Sequence, residues 1–276
     1  MSESIDVWIL DSSEFELADL EAKTISRLSA PEKARYERYD LARSKRQFLL
    51  SRGMLRTVLA RYLEDEVLQI NLGAHGRPTL GGESGLSFNL SHSRDRVVLA
   101  VTRLGVVGVD VEYAARHRRV EQLIARYFSQ REQSALLALP ESSRLPRFYA
   151  LWALKEAFIK ARGLGLAIPL VDFSFSFAED AGAGAADVEP RGSVSISFDG
   201  SLAAQSPTPW RFWRGALAGE KYAFGLALHF SGEPHLGRDH SSDSLSSDIT
   251  AGNKESIGLT VRYSDAAQGL EHWRDA

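Results

Sequence analysis

Two carboxylates separated by one residue lie near the middle of the chain. They belong to the segment Gly108-Val-Asp110-Val-Glu112. In a strand, residues two apart point to the same face, so Asp110 and Glu112 project side by side. Two ionised carboxylates this close repel each other unless a cation lies between them. Because Mg²⁺ is held by one or two carboxylates together with substrate phosphate oxygens, the pair points to a magnesium site. Taken alone, an exposed strand end is the commoner explanation.

A second group of charged side chains follows about forty residues later, in Trp152-Ala-Leu-Lys-Glu156-Ala-Phe-Ile-Lys160. On a helix Glu156 and Lys160 are neighbours at i and i+4, and as an exposed pair they contribute only about 0.3–0.5 kcal/mol. The same helix already has an apolar face elsewhere, and this stripe passes Tyr149 and Trp152. An acid and a base beside aromatic side chains indicate a cleft.

Two shorter motifs upstream contain groups that suit phosphate. They are Gly76-Arg77-Pro78 and Asn89-Leu-Ser91-His92-Ser93. Arginine presents a fixed fork of donors that matches phosphate oxygens, whereas each motif alone also fits an ordinary turn or loop. A Ser-His-Asp hydrolase is not favoured, because no Gly-x-Ser-x-Gly segment precedes a helix.

The composition narrows the chemistry further. The chain has 276 residues, 44% of them hydrophobic and 25% charged, and it has no cysteine. These values are typical of an ordinary globular protein and exclude disulfides, thiolate metal sites and cysteine nucleophiles. Any metal is therefore held by oxygen or imidazole ligands. Because the N-terminus lacks a signal-peptide pattern and no apolar run has membrane-spanning length, we expect a cytoplasmic protein.

The charge is unevenly distributed along the chain. The net charge is −3, but residues 232–276 carry eight acids and four bases, whereas residues 27–61 carry ten bases and three acids. A local excess of seven positive charges favours an anionic partner, because summed fields steer association. A solvated helix face is the simpler alternative.

Helical and strand periodicities assign these motifs to predicted helices and strands. Ser29-Ala-Pro-Glu32 is typical of a helix start, and a second helix is predicted from about residue 41. Further helices are predicted over 119–139, with a break near Phe128, and over 146–162. Strands are predicted at 86–90, 97–102, 105–112, 173–177, 194–198 and 222–230.

Both halves of the chain show the same order of helix, turn region, strand, turn and strand. We therefore predict an α+β protein built from two similar α/β lobes, an N-terminal lobe over 1–104 and a C-terminal lobe over 105–231. The serine-rich segment that follows shows no apolar periodicity, so the tail 232–276 is predicted to be disordered.

Taken together, the motifs resemble those of the 4′-phosphopantetheinyl transferases, specifically the larger two-lobed type. The resemblance spans about residues 25–230 and rests on motifs in the family's order: Ser-x-Pro-Glu-Lys33, Arg46 on the next helix, Gly-Arg77-Pro, Phe88-Asn-Leu-Ser-His-Ser93, Gly-Val-Asp110-Val-Glu112 and Trp152-x-x-Lys-Glu156-x-x-x-Lys160.

The resemblance implies a fold of two similar lobes with the cofactor between them. It also implies transfer of the phosphopantetheine arm of coenzyme A to a serine of an acyl or peptidyl carrier protein, with release of 3′,5′-ADP. By the same resemblance, Asp110, Glu112 and Glu156 hold Mg²⁺ with the pyrophosphate, and Lys160 contacts phosphate. Glu156 accepts the serine proton either directly or through a water on the metal, and the sequence leaves that choice open.

The remaining contacts to coenzyme A are also implied by the resemblance. Arg46 and Lys33 meet the 3′-phosphate, His92 binds phosphate, and Arg77 and Ser91 lie along the adenosine. Many members of the family have lysine in place of Arg77. An acidic carrier protein would meet a basic surface formed by Arg116, Arg118, Arg119 and Arg126, and two lobes in one chain favour a monomer.

Two other functions stay open at this point. A metal-dependent phosphodiesterase or nuclease could use the same carboxylates, but the nearly neutral body of the chain disfavours nucleic acid as a partner. A noncatalytic carrier-protein binder is the second alternative, although such a protein has no use for intact carboxylates and Lys160. The carrier itself, from a fatty-acid, polyketide or peptide synthetase, is not identified by the sequence.

Overall fold

The structure is a computed structural model that describes residues 4–63, 70–72, 78–81, 84–114, 120–177, 194–217, 221–230 and 258–263. Within these ranges the chain is an α+β protein with two domains, as the sequence predicts. None of the helices described there is long and apolar enough to cross a membrane.

In its described residues, the N-terminal lobe combines three α-helices with five strands. Its helices are α1 (Leu17–Thr24), α2 (Ala30–Glu37) and α3 (Ala42–Ala60), and its strands are β1 (Ser4–Asp11), β2 (Ile70–Leu72), β3 (Pro78–Leu80), β4 (Ser87–Ser93) and β5 (Arg96–Thr102).

The C-terminal lobe again combines three helices with five strands, and one more strand comes from the tail. The helices are α4 (Val120–Tyr127), α5 (Gln130–Leu137) and α6 (Glu141–Arg162), and the strands are β6 (Gly105–Tyr113), β7 (Phe173–Phe177), β8 (Val194–Phe198), β9 (Trp210–Leu217), β10 (Tyr222–Phe230) and the tail strand β11 (Gly258–Tyr263).

Each lobe is built around one larger sheet. In the first sheet the order is β11-β1-β5-β4, with β1 antiparallel to β5, β5 antiparallel to β4, and β11 parallel to β1. The second sheet has the order β6-β10-β9 and is antiparallel throughout. Two small hairpins, β2-β3 and β7-β8, complete the described strands.

The buried apolar side chains of the described residues form three clusters, and neighbouring residues of one strand can belong to different clusters. On β10 the large residues Tyr222, Phe224, Leu226 and Leu228 join a cluster that lies between the two sheets. The small residues between them face the other way, because successive strand residues point to opposite faces. Ala223 and Ala227 accordingly join the cluster formed with α6. The third cluster packs α3 against β5.

Two helices start at capping boxes, and the first of these confirms the predicted start at Ser29. Ser29 and Ser129 each accept a hydrogen bond from the backbone N–H of the glutamate three residues later, and that glutamate reaches back to the serine N–H. These reciprocal bonds satisfy N–H groups that have no partner within the helix. The predicted break near Phe128 is also confirmed, since α4 ends at Tyr127 and α5 starts at Gln130.

Several strands differ from the prediction. The sequence identified β7, β8 and β10 with their bounds but missed β2, β3, β9 and β1, which is one of the two central strands of the first sheet. The prediction of a disordered tail is wrong for residues 258–263, because they form β11 along the edge of β1. The segment Leu259-Thr-Val-Arg-Tyr263 is rich in residue types that favour strands, and an open strand edge offers unpaired backbone groups to pair with it.

Candidate active site

The two halves of the site come together because α6 lies unusually close to β6 and β10. A Cβ atom at Gly108 would overlap the backbone of α6 at Ala157 and Ala161, and one at Gly225 would lie 2.5 Å from the carbonyl carbon of Ala153. Small residues on both elements therefore set the separation between helix and sheet. As a result, Asp110 and Glu112 on β6 face the same space as Glu156 and Lys160 on α6.

Asp110 is the most buried carboxylate of this group, with a residue exposure of 5%. Its Oδ1 accepts hydrogen bonds from Lys160 Nζ at 2.6 Å and from Ser91 Oγ at 2.8 Å. Lys160 also donates to Ser91 Oγ at 2.9 Å and to the Val109 carbonyl at 3.2 Å. The sequence placed Asp110 and Lys160 in one site, and the structure brings them into direct contact.

The other two carboxylates lie nearby and are half-buried. Glu112 Oε2 accepts a hydrogen bond from Ser93 Oγ at 3.3 Å. The pKa of Glu156 is raised to about 7, chiefly by burial and also by the charges of Asp110 and Glu112, while Lys160 acts in the opposite direction. A raised pKa is expected where a carboxylate loses hydration close to like charges, so all three carboxylates influence one another.

The donor chemistry of this cluster suits a hard divalent cation. Asp110 Oδ2 is buried and has no hydrogen-bond partner in the described part of the chain. A buried carboxylate oxygen without a partner is costly, and a cation would satisfy it. However, among the described residues no group of three His, Asp or Glu side chains is already arranged to hold an ion. The unpaired oxygen is the stronger indication, and binding would require the side chains to close around the cation.

The residues expected to contact coenzyme A differ in exposure, and His92 is the one among them whose charge interactions include Lys160 and Asp110 of the cluster. His92 and Lys33 are exposed, and Arg46 is half-buried with a buried Nε that has no hydrogen-bond partner among the described residues. Partial loss of hydration lowers the pKa of His92, and the cations Lys160 and Arg35 add to this effect. Arg77 lies outside the described residues.

A buried ion pair beside the site was not predicted from the sequence. Lys155, next to Glu156 in the chain, is fully buried and lies 2.8 Å from Glu132 Oε2. Its ammonium also donates to the carbonyls of Leu170 and Phe173. The capping box alone explains why a glutamate stands at position 132, so the local sequence gave no sign of a long-range partner.

The comparisons with known proteins agree with this geometry. A family profile described as "4'-phosphopantetheinyl transferase superfamily" matches residues 106–227, and one described as "4'-phosphopantetheinyl transferase, N-terminal" matches residues 16–104. The 4'-phosphopantetheinyl transferase HetI of Nostoc sp. is 37% identical over 174 residues, which are 60% of this chain and 72% of the relative.

This chain matches a smaller share of two other relatives. The 4'-phosphopantetheinyl transferase Sfp of Bacillus subtilis is 33% identical over 135 residues, which are 48% of this chain and 58% of that protein. The human L-aminoadipate-semialdehyde dehydrogenase-phosphopantetheinyl transferase is 30% identical over 185 residues, 62% of this chain and 58% of the relative.

Fold, site and similarity together define the class of the protein: the chain belongs to the 4′-phosphopantetheinyl transferase superfamily. It is an enzyme of the two-domain type, which transfers the phosphopantetheine arm of coenzyme A to carrier proteins. This membership favours the transferase over the phosphodiesterase and the noncatalytic binder.

Proposed function

We propose that Asp110, Glu112 and Glu156 hold Mg²⁺ in this enzyme and that Lys160 contacts the phosphates of coenzyme A. The observation that carries the proposal is the buried Asp110 Oδ2, which has no hydrogen-bond partner in the described part of the chain and lies in a cluster of three carboxylates. When bound, the cation supplies charge neutralisation for the phosphate oxygens during transfer.

The transfer itself is an exchange of one phosphorus–oxygen bond for another. The hydroxyl oxygen of a carrier serine forms a bond to the phosphorus that bears the pantetheine arm. The bond between this phosphorus and the bridging oxygen breaks, and that oxygen leaves with 3′,5′-ADP. The serine proton goes to Glu156, directly or through a water molecule, because this half-buried carboxylate can act as a general base.

Different cationic residues would bind different phosphate groups of coenzyme A. Lys160 is held beside Asp110 and places an ammonium next to the cluster, where it stabilises charge on a phosphate oxygen. Arg46 has a buried guanidinium nitrogen without a hydrogen-bond partner in the described chain, and such a group favours an anion. With Lys33 it would bind the 3′-phosphate, while His92 would bind another phosphate and Arg77 would lie along the adenosine. Ser91 is left out of this set, because its buried hydroxyl already has three hydrogen-bond partners.

The acceptor is proposed to be the serine of an apo acyl or peptidyl carrier protein. We expect this carrier to be acidic near its serine, where it would meet the basic residues Arg116, Arg118, Arg119 and Arg126 of the enzyme. The monomeric state and the cytoplasmic location stay predictions.

Calorimetric titration with Mg²⁺, combined with turnover measurements, tests the proposal. Asp110→Ala, Glu112→Gln and Glu156→Gln should each weaken Mg²⁺ binding and lower turnover. Glu141→Gln is the matched control, because Glu141 is an exposed carboxylate on the same helix α6. Normal Mg²⁺ affinity in the Asp110→Ala variant would contradict the proposed metal site.

A further inference from the structure

Strands β4 and β6 lie side by side where the two lobes meet, and side chains of β4 connect them. Every second residue of β4 accepts a hydrogen bond from a backbone N–H of β6, always twenty positions further along the chain. The four bonds are Val107 N–H to Ser87 Oγ (3.1 Å), Val109 N–H to Asn89 Oδ1 (2.9 Å), Val111 N–H to Ser91 Oγ (3.4 Å) and Tyr113 N–H to Ser93 Oγ (3.1 Å).

Two of the four β4 residues make a second bond to β6. Ser91 accepts from the N–H of Val111 and donates to the carboxylate of the preceding residue, Asp110. Ser93 accepts from the N–H of Tyr113 and donates to Glu112. The same unit of one hydroxyl, one N–H and one carboxylate is therefore repeated two residues apart.

The hydrogen-bonding capacity of the Ser91 hydroxyl fixes the direction of its bond. A hydroxyl has one proton to donate and two positions that accept. Both accepting positions of Ser91 are filled, by Lys160 Nζ and by the Val111 N–H. Its proton is thus directed to Asp110 Oδ1, the oxygen that also binds Lys160. This arrangement engages Oδ1 and leaves Oδ2 as the oxygen without a hydrogen-bond partner in the described chain.

We propose that Ser91 and Ser93 are positioning residues that orient the carboxylates of Asp110 and Glu112 for the cation. The inference rests on the proposed metal site and deepens it. In this account the N-terminal lobe supplies no carboxylate to the cluster, yet it determines which oxygens of the C-terminal lobe are presented. Partners of this kind commonly change metal affinity by about 10–100-fold.

Ser93 and Ser87 form a matched pair for the test. Both are half-buried serines at the ends of β4, and each accepts a β6 N–H at 3.1 Å. Only Ser93 has a carboxylate as its second partner. Calorimetry should show Mg²⁺ binding about 10-fold weaker or more in Ser93→Ala and unchanged in Ser87→Ala, with affinity restored in Ser93→Thr.

Ser91→Ala separates orientation of Asp110 from direct contact with coenzyme A. If Ser91 orients Asp110, this variant should show weaker Mg²⁺ binding and a higher apparent KM for Mg²⁺, with unchanged affinity for coenzyme A measured without metal. A loss of metal-free coenzyme A affinity with normal Mg²⁺ binding would overturn the inference for Ser91. Thermal unfolding of each variant checks that the protein is folded.

The outcomes also separate this inference from the metal site on which it rests. If Ser87→Ala and Ser93→Ala weaken Mg²⁺ binding equally, β4 serves only lobe contact and the positioning role is wrong. If Asp110→Ala itself binds Mg²⁺ normally, the metal site is wrong, and the positioning inference is overturned with it. Loss of Mg²⁺ binding in Asp110→Ala with normal binding in both serine variants overturns the inference alone.

Discussion

Glu156 has to ionise in unfavourable surroundings, because it is half-buried and lies close to two other carboxylates. Burial and the charges of Asp110 and Glu112 raise its pKa from 4.5 to about 7, although Lys160 opposes them. In the metal-free protein, the folded state therefore keeps this proton at pH values where the unfolded chain has released it. The stability gained by keeping the proton is fully present below pH 4.5 and is lost as the pH rises to about 7.

Glu156→Gln tests this linkage. Without Mg²⁺, the free energy of unfolding of the wild type should fall relative to that of the variant as the pH rises from about 5 to 7, by up to about 1.4 kcal/mol per pH unit. Urea unfolding at several pH values measures the difference, and added Mg²⁺ should reduce it. Parallel pH profiles for the two proteins would contradict the assigned pKa.

Lys155 should be essential for stability because its partner cannot reach water. Lys155→Met leaves the carboxylate of Glu132 buried without its cation and should cost about 3–5 kcal/mol in the free energy of unfolding. Adding Glu132→Gln removes that charge and should recover part of the loss. Chemical denaturation is the measurement.

An exposed ion pair provides the control for Lys155. Arg43 and Asp95 lie 3.4 Å apart with side chains about half exposed. Arg43→Met should change stability by about 1 kcal/mol or less, because exposed pairs contribute little. If Lys155→Met and Arg43→Met lower the free energy of unfolding equally, the buried Lys155 pair is no more important for stability than an exposed pair.

At the residue scale, the sequence predicted the parts of the site that depend on local periodicity. The shared face of Asp110 and Glu112 follows from strand geometry, and the pairing of Glu156 with Lys160 follows from helix geometry. The contacts of Ser91 and Ser93 with β6 could not be predicted in this way, because they depend on the alignment of two strands from different lobes. The Lys155–Glu132 pair was missed for the same reason: its partners belong to different helices.

At the element scale, the close approach of α6 to β6 controls the distance between the two halves of the site. Gly108→Ala places a methyl group against the backbone of Ala157 and Ala161, which cannot yield without moving the helix. We expect a loss of about 1–3 kcal/mol in stability and a lower Mg²⁺ affinity. Denaturation and calorimetry measure the two effects.

Val106→Ala is the control on the same strand. Val106 is 36% exposed, so shortening its side chain should change stability by no more than about 0.5 kcal/mol. If Gly108→Ala behaves like Val106→Ala, the contact between α6 and β6 does not set the geometry of the site.

The predicted elements show where sequence periodicity is informative. The alternation of large and small residues in Tyr222–Phe230 predicted β10, and the structure explains it by an apolar cluster on one face and a close helix on the other. By contrast, β11 lies in a polar tail, and only its pairing with β1 makes it a strand. A local sequence pattern therefore predicts a buried strand better than it predicts a strand that forms only by pairing with an open sheet edge.

At the scale of the whole molecule, the tail adds a strand far from the site in sequence. A chain that ends at residue 231 lacks β11 but keeps every proposed site residue. We expect unchanged kcat, a lower unfolding temperature and more self-association, because the edge of β1 loses its partner. Loss of turnover in a folded protein of this length would show that the tail has a direct part in catalysis.

The uneven charge of the chain predicts how the carrier binds. Arg126 is exposed in the last turn of α4, while Arg116, Arg118 and Arg119 lie outside the described residues. If an acidic carrier meets this basic surface, its KM should rise with salt much more than the KM for coenzyme A, because exposed charges are screened. Steady-state kinetics at several salt concentrations measure both, and equal responses would contradict an electrostatic contact.

The most direct test of the central claim is the mass of the carrier protein after reaction. The enzyme, coenzyme A and Mg²⁺ are incubated with an apo carrier protein, and the carrier is analysed by mass spectrometry. The carrier should gain about 340 Da, the mass of one phosphopantetheine group in place of hydrogen, and the Asp110→Ala enzyme should not produce this gain. A full gain in mass with Asp110→Ala would contradict the assigned site, and no gain with the wild type and several carriers would contradict the activity.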